Sequence, residues 1–325
     1  MKNSVRQILK TKLKPKPKSE LNSALKPELP AQAYSLYDQY AHGMLSRRDF
    51  FSGMAGLAVS AALATTFINS MLPNYALAQQ VSFNDDDITA SYQKFSPAQS
   101  QNGTGHGAGH KEIRGYLVKP KNATTALPTV LVIHENRGLN PYVEDVARRL
   151  AKAGFIAFAP DALWPLGGYP GNDDDGRTMQ SSLEPAKIVA DLKAAAMWLK
   201  QLDGGNGKLG VVGFCFGGAM TGRLAAELPN VVDAAVPFYG SPPAADSIAN
   251  IKAPLLVQLG ELDERVNQQW PAAEALFKQH NLNYKIEMYP ASHHGFHNDS
   301  TARYNKEMAD LAWQRTLAFF KQHLS

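Results

Sequence analysis

One cysteine, Cys215, stands in a chain of 325 residues. No intramolecular disulfide can form, and no all-cysteine metal cluster can be built within one chain. An isolated cysteine ordinarily behaves as a small buried hydrophobe, so any chemistry claimed for it must come from its neighbours. A strong charge of one sign is also missing from most of the chain. Lys and Arg number 33 against 29 Asp and Glu, but residues 1–78 hold 10 of the basic residues and only 4 of the acidic ones, leaving 23 against 25. The basic balance belongs to the N-terminal region and gives no argument for nucleic-acid binding by residues 79–325. No internal repeat or heptad pattern is visible. The uncharged run Ser52–Leu72 is diluted by Gly, Ser and Thr, which weakens the case for a stable membrane anchor.

The N-terminal region does contain Ser46-Arg47-Arg48-Asp49-Phe50-Phe51, then the mildly apolar run, then Ala76-Leu77-Ala78 before Gln79. Paired arginines, a weakly hydrophobic segment and a small-residue site resemble a twin-arginine export signal, which carries folded proteins across a membrane. On that reading residues 1–78 are a leader, the export machinery is a partner, and the protein is periplasmic or otherwise exported. The basic stretch is long for a signal, and Met44 sits where a short one would begin. A second reading keeps the leader as a packed helix in a cytoplasmic protein: Ser46 and Asp49 have capping-box spacing, and Tyr37–Gly43 is foreign to a typical signal.

Residues 79–325 read as one α/β domain, for which about 200–250 residues suffice. Ile88–Phe95 and Lys111–Val118 are strand-like and suggest an antiparallel opening pair around the Gly-rich stretch 96–110. In that stretch His106 and His110 read as solvated loop residues. Apolar strands then alternate with helical patterns, the signature of a mostly parallel sheet covered on both faces. The expected strands are Val130–Ile133, Phe155–Ala159, Leu209–Phe214, Ala234–Tyr239, Leu255–Leu259 and Lys285–Tyr289. Expected helices include Val143–Ala153, one after Glu184, and others from Phe216, Pro271 and Thr301.

Gly213-Phe214-Cys215-Phe216-Gly217-Gly218 lies between a β-rich strand and an alanine-rich helix. It has the form of a nucleophile elbow with Cys in place of Ser. The nucleophile occupies a strained turn, and the flanking glycines let strand and helix approach each other. The helix N-terminus beneath it favours thiolate and a developing oxyanion. An acid and a base should come later in that order, at the carboxyl ends of subsequent strands. Asp263 in Gly260-Glu261-Leu262-Asp263 is the expected acid, with Glu261 as rival. His294 in Ser292-His293-His294-Gly295-Phe296 is the expected base, with His293 as rival. A zinc site would need His293, His294 and His297 to converge within one short loop, so no metal is expected.

Five blocks in order resemble the dienelactone hydrolase (carboxymethylenebutenolidase-like) family across Asp87–Leu324. They are His134-Glu135-Asn136-Arg137-Gly138-Leu139-Asn140, Ala159-Pro160-Asp161-Ala162-Leu163, the Cys215 elbow, Gly260-Glu261-Leu262-Asp263 and Ala291-Ser292-His293-His294-Gly295-Phe296. The resemblance implies an α/β-hydrolase fold, a Cys215-His294-Asp263 triad without cofactor or metal, and a small ester or lactone substrate. It further implies that Glu135 contacts the thiol and that the oxyanion hole is formed by the backbone N–H groups of Phe216 and Asn136. A carboxylate beside the nucleophile disfavours a standing thiolate; an ordinary solvated acid at the end of a strand is the alternative for Glu135. The sequence departs from the family at Asn136, usually apolar there, and at Asn298, where dienelactone-cleaving members carry a substrate-binding arginine. Arg177, in Asp173-Asp174-Asp175-Gly176-Arg177, is the expected replacement for that arginine, or else a surface partner of those acids. The rival functions are an acyltransferase on the same scaffold and a non-catalytic redox-sensing or binding protein.

Overall fold

The computed structural model describes residues 29–58, 60–76, 78–97 and 110–325. The basic stretch 1–28, Leu77, and His106 with most of the Gly-rich stretch lie outside the described residues. The chain divides into two units, Met1–Met71 and Leu72–Ser325.

Among the described residues the first unit holds three short helices, Ala31–Ala41 (α1), Arg47–Gly56 (α2) and Ala61–Met71 (α3). Ser46 caps α2: its Oγ accepts from the Asp49 N–H at 3.1 Å and donates to the Asp49 carboxylate at 2.7 Å. Phe50 stacks on Tyr40 with ring centroids 4.6 Å apart. Gly53 lies where a Cβ would stand 3.0 Å from Leu36, so its lack of a side chain permits the close approach of α1 and α2. The capping-box spacing thus does cap a helix, which neither requires nor excludes an export role. Among the described residues no helix is long and apolar enough to cross a membrane.

In the second unit eight strands form one sheet in the order β1-β2-β4-β3-β5-β6-β7-β8. They are Ile88–Phe95 (β1), Ile113–Pro120 (β2), Leu127–Ile133 (β3), Ile156–Pro160 (β4), Gly205–Phe214 (β5), Ala234–Phe238 (β6), Leu255–Gly260 (β7) and Tyr284–Tyr289 (β8). The β1–β2 and β2–β4 pairings are antiparallel, and the rest are parallel. The central strands are covered on both faces and accordingly read as unbroken apolar runs, as in Val130-Leu131-Val132-Ile133. Edge strand β1 is instead buried only at its two ends, Ile88 and Phe95.

Odd and even positions of these strands feed two cores. Leu131, Ile133, Val211 and Val257 pack with Ile188, Leu192 and Leu199 of Pro185–Lys200 and with Phe277 of Trp270–Gln279. On the other face Val130, Val132 and Val212 meet Val143, Val146 and Leu150 of Pro141–Lys152 and Phe320 of Lys306–Leu324. Each fully buried aliphatic side chain contributes ~1.5–3 kcal/mol, so the two layers hold the sheet rigid beneath its loops.

The strand order reverses at β3. Its successor β4 lies on one side and β5 on the other, with Ile133 opposite Gly213. Such a switch point opens a crevice at the carboxyl ends of the strands, where open α/β sheets bind ligands. The loops after β3 and β5, carrying Glu135 and Cys215, therefore emerge side by side. The helices are α4 (Pro141–Lys152), α5 (Asp173–Ser182), α6 (Pro185–Lys200), α7 (Phe216–Glu227), α8 (Glu264–Asn267), α9 (Trp270–Gln279) and α10 (Lys306–Leu324).

Two expectations need correction. The last helix begins at Lys306, five residues after Thr301, because Asn305 is its cap: Oδ1 accepts from the Met308 N–H at 3.3 Å. Thr301–Tyr304 instead form turns that lead back to the site. His110 is not a solvated loop residue, since its backbone N–H and Nδ1 both meet the Asp191 carboxylate of α6, at 2.8 and 2.5 Å.

Candidate active site

Cys215 occupies the turn between β5 and α7 with φ 55° and ψ −110°, a conformation non-glycine residues rarely adopt. A residue held there costs ~1–3 kcal/mol, which the surroundings must sustain. They do so through the backbone: Cys215 N–H donates to the Phe238 carbonyl at 3.1 Å, and the Cys215 carbonyl accepts from Ala219 at 3.1 Å. The glycine spacing is dictated by contact. A Cβ on Gly217 would stand 2.1 Å from the Ile133 carbonyl oxygen, and one on Gly213 would stand 2.1 Å from that of Gly217. The sulfur is thereby carried to the switch-point crevice, half-buried.

His294 comes from the loop after β8, and Asp263 from the turn after β7. His294 Nδ1 lies 2.6 Å from Asp263 Oδ2, both side chains being almost fully buried. The other carboxylate oxygen of Asp263 accepts from the Val266 N–H at 3.4 Å, which orients it as the cap of α8. Glu261, the rival acid, is exposed and accepts from the Ala291 N–H at 2.8 Å. On its other side His294 faces Cys215, whose sulfur lies within 4.8 Å of an imidazole nitrogen. Burial alone would lower the imidazole pKa. The negative charge of Asp263, together with that of the sulfur, overcomes burial and raises it to about 10. The arrangement therefore favours the imidazolium form of His294.

Glu135 is buried at the end of β3 and oriented by two neighbours. Asn298 Nδ2 donates to its Oε2 at 3.0 Å. His134 is the tautomer protonated at Nδ1: Nε2 accepts from the Ala162 N–H at 3.3 Å, leaving Nδ1–H to donate to the Glu135 carbonyl at 2.5 Å. Burial lowers the pKa of His134 to about 4, so it acts here as a neutral strut. Burial raises the pKa of the Glu135 carboxyl, the charge of Cys215 raises it further, and the Arg137 and Arg303 guanidiniums oppose both. Glu135 is therefore no ordinary solvated acid.

The other expected residues divide between the crevice and its surroundings. Phe216 is the first residue of α7 and Asn136 comes directly after Glu135, so their backbones flank the crevice on its β5 and β3 sides. Asn298 is buried with its side chain engaged at both ends. Beyond its bond to Glu135, its Oδ1 accepts from the Ser300 N–H at 3.1 Å and Oγ–H at 2.6 Å. It serves Glu135 in the position expected to contact substrate. Arg177 is half-buried on α5, but the first of the acids expected as its partners, Asp173, pairs with Arg137 at 2.7 Å. His297 does not converge with His294. It lies in the core against Phe214, 2.7 Å from the Tyr142 hydroxyl, and burial with the Arg149 guanidinium holds it neutral.

Two contributors were not expected from the sequence. Arg265, on α8, brings a guanidinium nitrogen 3.3 Å from His294 Nδ1. Tyr239 sets its ring edge-on to the imidazole with centroids 5.1 Å apart. Arg265 stands only two residues after Asp263, but an arginine in a polar turn carries no motif of its own.

The mostly parallel sheet with its reversed order, the strained cysteine and the buried imidazole–carboxylate pair define a protein of the α/β-hydrolase class. Comparison with known proteins narrows the class. Residues 113–324 match the dienelactone hydrolase family, and residues 26–59 match a family described as YqhI-like. "Protein usf" of Aquifex pyrophilus is 36% identical over 225 residues, covering 66% of this chain and 95% of that one. A protein of Escherichia coli O157:H7 described as "Putative carboxymethylenebutenolidase" is 32% identical over 256 residues, 74% of this chain and 89% of its own. A crystal structure from Klebsiella pneumoniae titled "Putative Dienelactone Hydrolase" superposes with a TM-score of 0.61 at 29% identity, covering 72% of this chain and all of that one. The chain belongs to the dienelactone hydrolase family, whose members hydrolyse ester and lactone bonds.

Proposed function

We propose that Cys215, His294 and Asp263 form a nucleophilic triad that cleaves an ester or lactone of a small substrate through a thioester-linked acyl-enzyme. The observation that carries this reading is the 2.6 Å contact of His294 with Asp263 on an imidazole that faces the sulfur of the strained Cys215 within 4.8 Å. The Cys215 thiolate attacks the carbonyl carbon and a C–S bond forms. The carbonyl oxygen gains the negative charge and is received by the backbone N–H groups of Phe216 and Asn136. As the C–O bond breaks, the His294 imidazolium gives its proton to the leaving oxygen. The neutral imidazole then takes a proton from water, whose oxygen attacks the thioester and releases the acid and the thiolate. Asp263 orients the ring and stabilises its cation. Glu135, held by Asn298, places a second carboxyl beside the sulfur and tempers its ionisation in the resting site.

Purified protein and its Cys215→Ala variant, assayed on a panel of p-nitrophenyl esters and lactones, test the reading. Turnover abolished by the substitution and by iodoacetamide is expected; equal rates in the two proteins would remove it. We propose in addition that Ser46–Leu72 is a twin-arginine signal for export to the periplasm, supported by the paired Arg47 and Arg48 and the weakly apolar run behind them.

A further inference from the structure

The loop after β3 carries Glu135 and Asn136 and then runs as Arg137-Gly138-Leu139-Asn140 into α4. It has no strand partner beyond Ile133, so side chains must fix it. Most of those ties meet on one buried carboxylate, Asp173, at the start of α5. Arg137 Nη1 donates to Asp173 Oδ2 at 2.7 Å. Tyr169 Oη donates to Oδ1 at 2.9 Å, and Tyr75 Oη donates to the same oxygen at 2.6 Å. The Tyr75 hydroxyl in turn accepts from Asn140 Nδ2 at 2.8 Å, so Arg137 and Asn140 are gripped from opposite ends of the same turn. On α5 itself Gln180 takes the Gly138 N–H at 3.2 Å, and Gly176 packs so closely that a Cβ would stand 2.3 Å from the Arg137 carbonyl oxygen. Asn74 N–H donates to the Ser300 carbonyl at 2.7 Å, which secures the segment bearing Tyr75. Burial and the adjacent Asp173 charge hold the Tyr75 phenol protonated far above its ordinary range, so it donates at any working pH.

We propose that Tyr75 and Asp173 are positioning residues for the oxyanion donor: by locking Arg137 and Asn140 they hold the intervening loop, and with it the Asn136 N–H, where the developing charge arrives. This rests on the oxyanion role proposed above for Asn136. The same contact bears on the N-terminal region. Tyr75 precedes Ala76-Leu77-Ala78, so a cut after Ala78 separates this hydroxyl from the catalytic unit to which it belongs by contact. Removal of a leader at that site would lower turnover rather than simply trim the chain.

The test uses the full-length protein and two variants, Tyr75→Phe and Asp173→Asn, measured in two ways. Ester hydrolysis passes through an oxyanion, whereas alkylation of Cys215 by iodoacetamide does not, so the two rates separate the oxyanion donor from the thiol. Both variants are expected to lose about tenfold in kcat with KM little changed, within the ~10²-fold that a misplacement of about 1 Å can cost. The alkylation rate is expected to match that of the unaltered protein. Unchanged kcat in Tyr75→Phe would overturn the proposal even if Asp173→Asn fails to fold. Parallel loss of hydrolysis and alkylation would overturn it too, since that marks general distortion. Hydrolysis by the unaltered protein no faster than by Cys215→Ala would instead remove the triad reading, an outcome distinct from both.

Discussion

At the scale of single residues the site is a competition between burial and charge. His294 is deeply buried, which by itself disfavours its cation, yet Asp263 and the sulfur raise its pKa to about 10. Protonation of the leaving oxygen needs the cation, so hydrolysis should persist until pH climbs past that value and then fall. Replacing Asp263 by Asn removes the first stabilising charge while burial remains. The imidazole pKa then drops, and the alkaline limb of the pH–rate profile moves to lower pH. Loss of the oriented, charged partner should also cost on the order of 10²–10⁴-fold in kcat, the range of general acid–base contributions. A profile of kcat/KM against pH for both proteins checks this; an alkaline limb that stays in place would show that Asp263 does not control the imidazole. These three residues were legible in the sequence because each sits in a local pattern at the end of a strand. The tie of Asp173 to Arg137 was not, because it spans 36 positions and joins residue types that pair with any nearby charge. The role of Asn298 was hidden for the same reason: its partner Glu135 lies 163 positions away.

At the scale of elements, close approach between backbones sets the elbow. Gly217 lies where a Cβ would meet the Ile133 carbonyl oxygen at 2.1 Å, and neither strand β3 nor helix α7 can yield without moving the nucleophile. Gly217→Ala should therefore destabilise the domain by about 1–3 kcal/mol or more, as overpacking does, and lose activity with it. Urea midpoints measure the first effect, and an unchanged midpoint would contradict the packing. The start of α10 gives a second measurement. Asn305 caps the helix through Oδ1, while its Nδ2 reaches Ser292 Oγ at 3.2 Å in the loop that bears His294. Asn305→Ala should cost about 1 kcal/mol, seen as a fall in Tm of roughly 2–4 °C for a domain of this size. An equal Tm would mean that the cap contributes nothing. Pattern alone placed this helix start at Thr301, because several polar residues there are able to cap. Choosing Asn305 requires knowing that the preceding turns fold back, with Asn305 N–H bonded to the Phe296 carbonyl at 3.0 Å. The strands were easier to read: their apolar runs are long, and β1 was placed at its observed bounds, Ile88–Phe95.

At the scale of the whole molecule two kinds of sequence are joined. The first 78 residues are basic and carry paired arginines, whereas the remainder is slightly acidic and carries the hydrolase. A parallel sheet with non-local pairings and a single thiol needs no oxidising compartment to mature, so the domain can fold first and be exported afterwards, as a twin-arginine route requires. On the proposed export reading, transport depends on the arginine pair rather than on charge alone. Replacing Arg47 and Arg48 together by Lys keeps the net charge and leaves every residue of the catalytic unit intact. The doubly substituted chain should remain in the cytoplasmic fraction with the specific activity of the uncut protein, while the unaltered chain is recovered from the periplasmic fraction. Activity and immunoblots on separated fractions give the distribution, and N-terminal sequencing of the exported form shows whether Tyr75 is retained. If both chains distribute alike, the export reading falls and α2 is an ordinary capped helix. The hydrolase assignment would then stand unaffected, because Cys215, His294 and Asp263 all belong to the second unit.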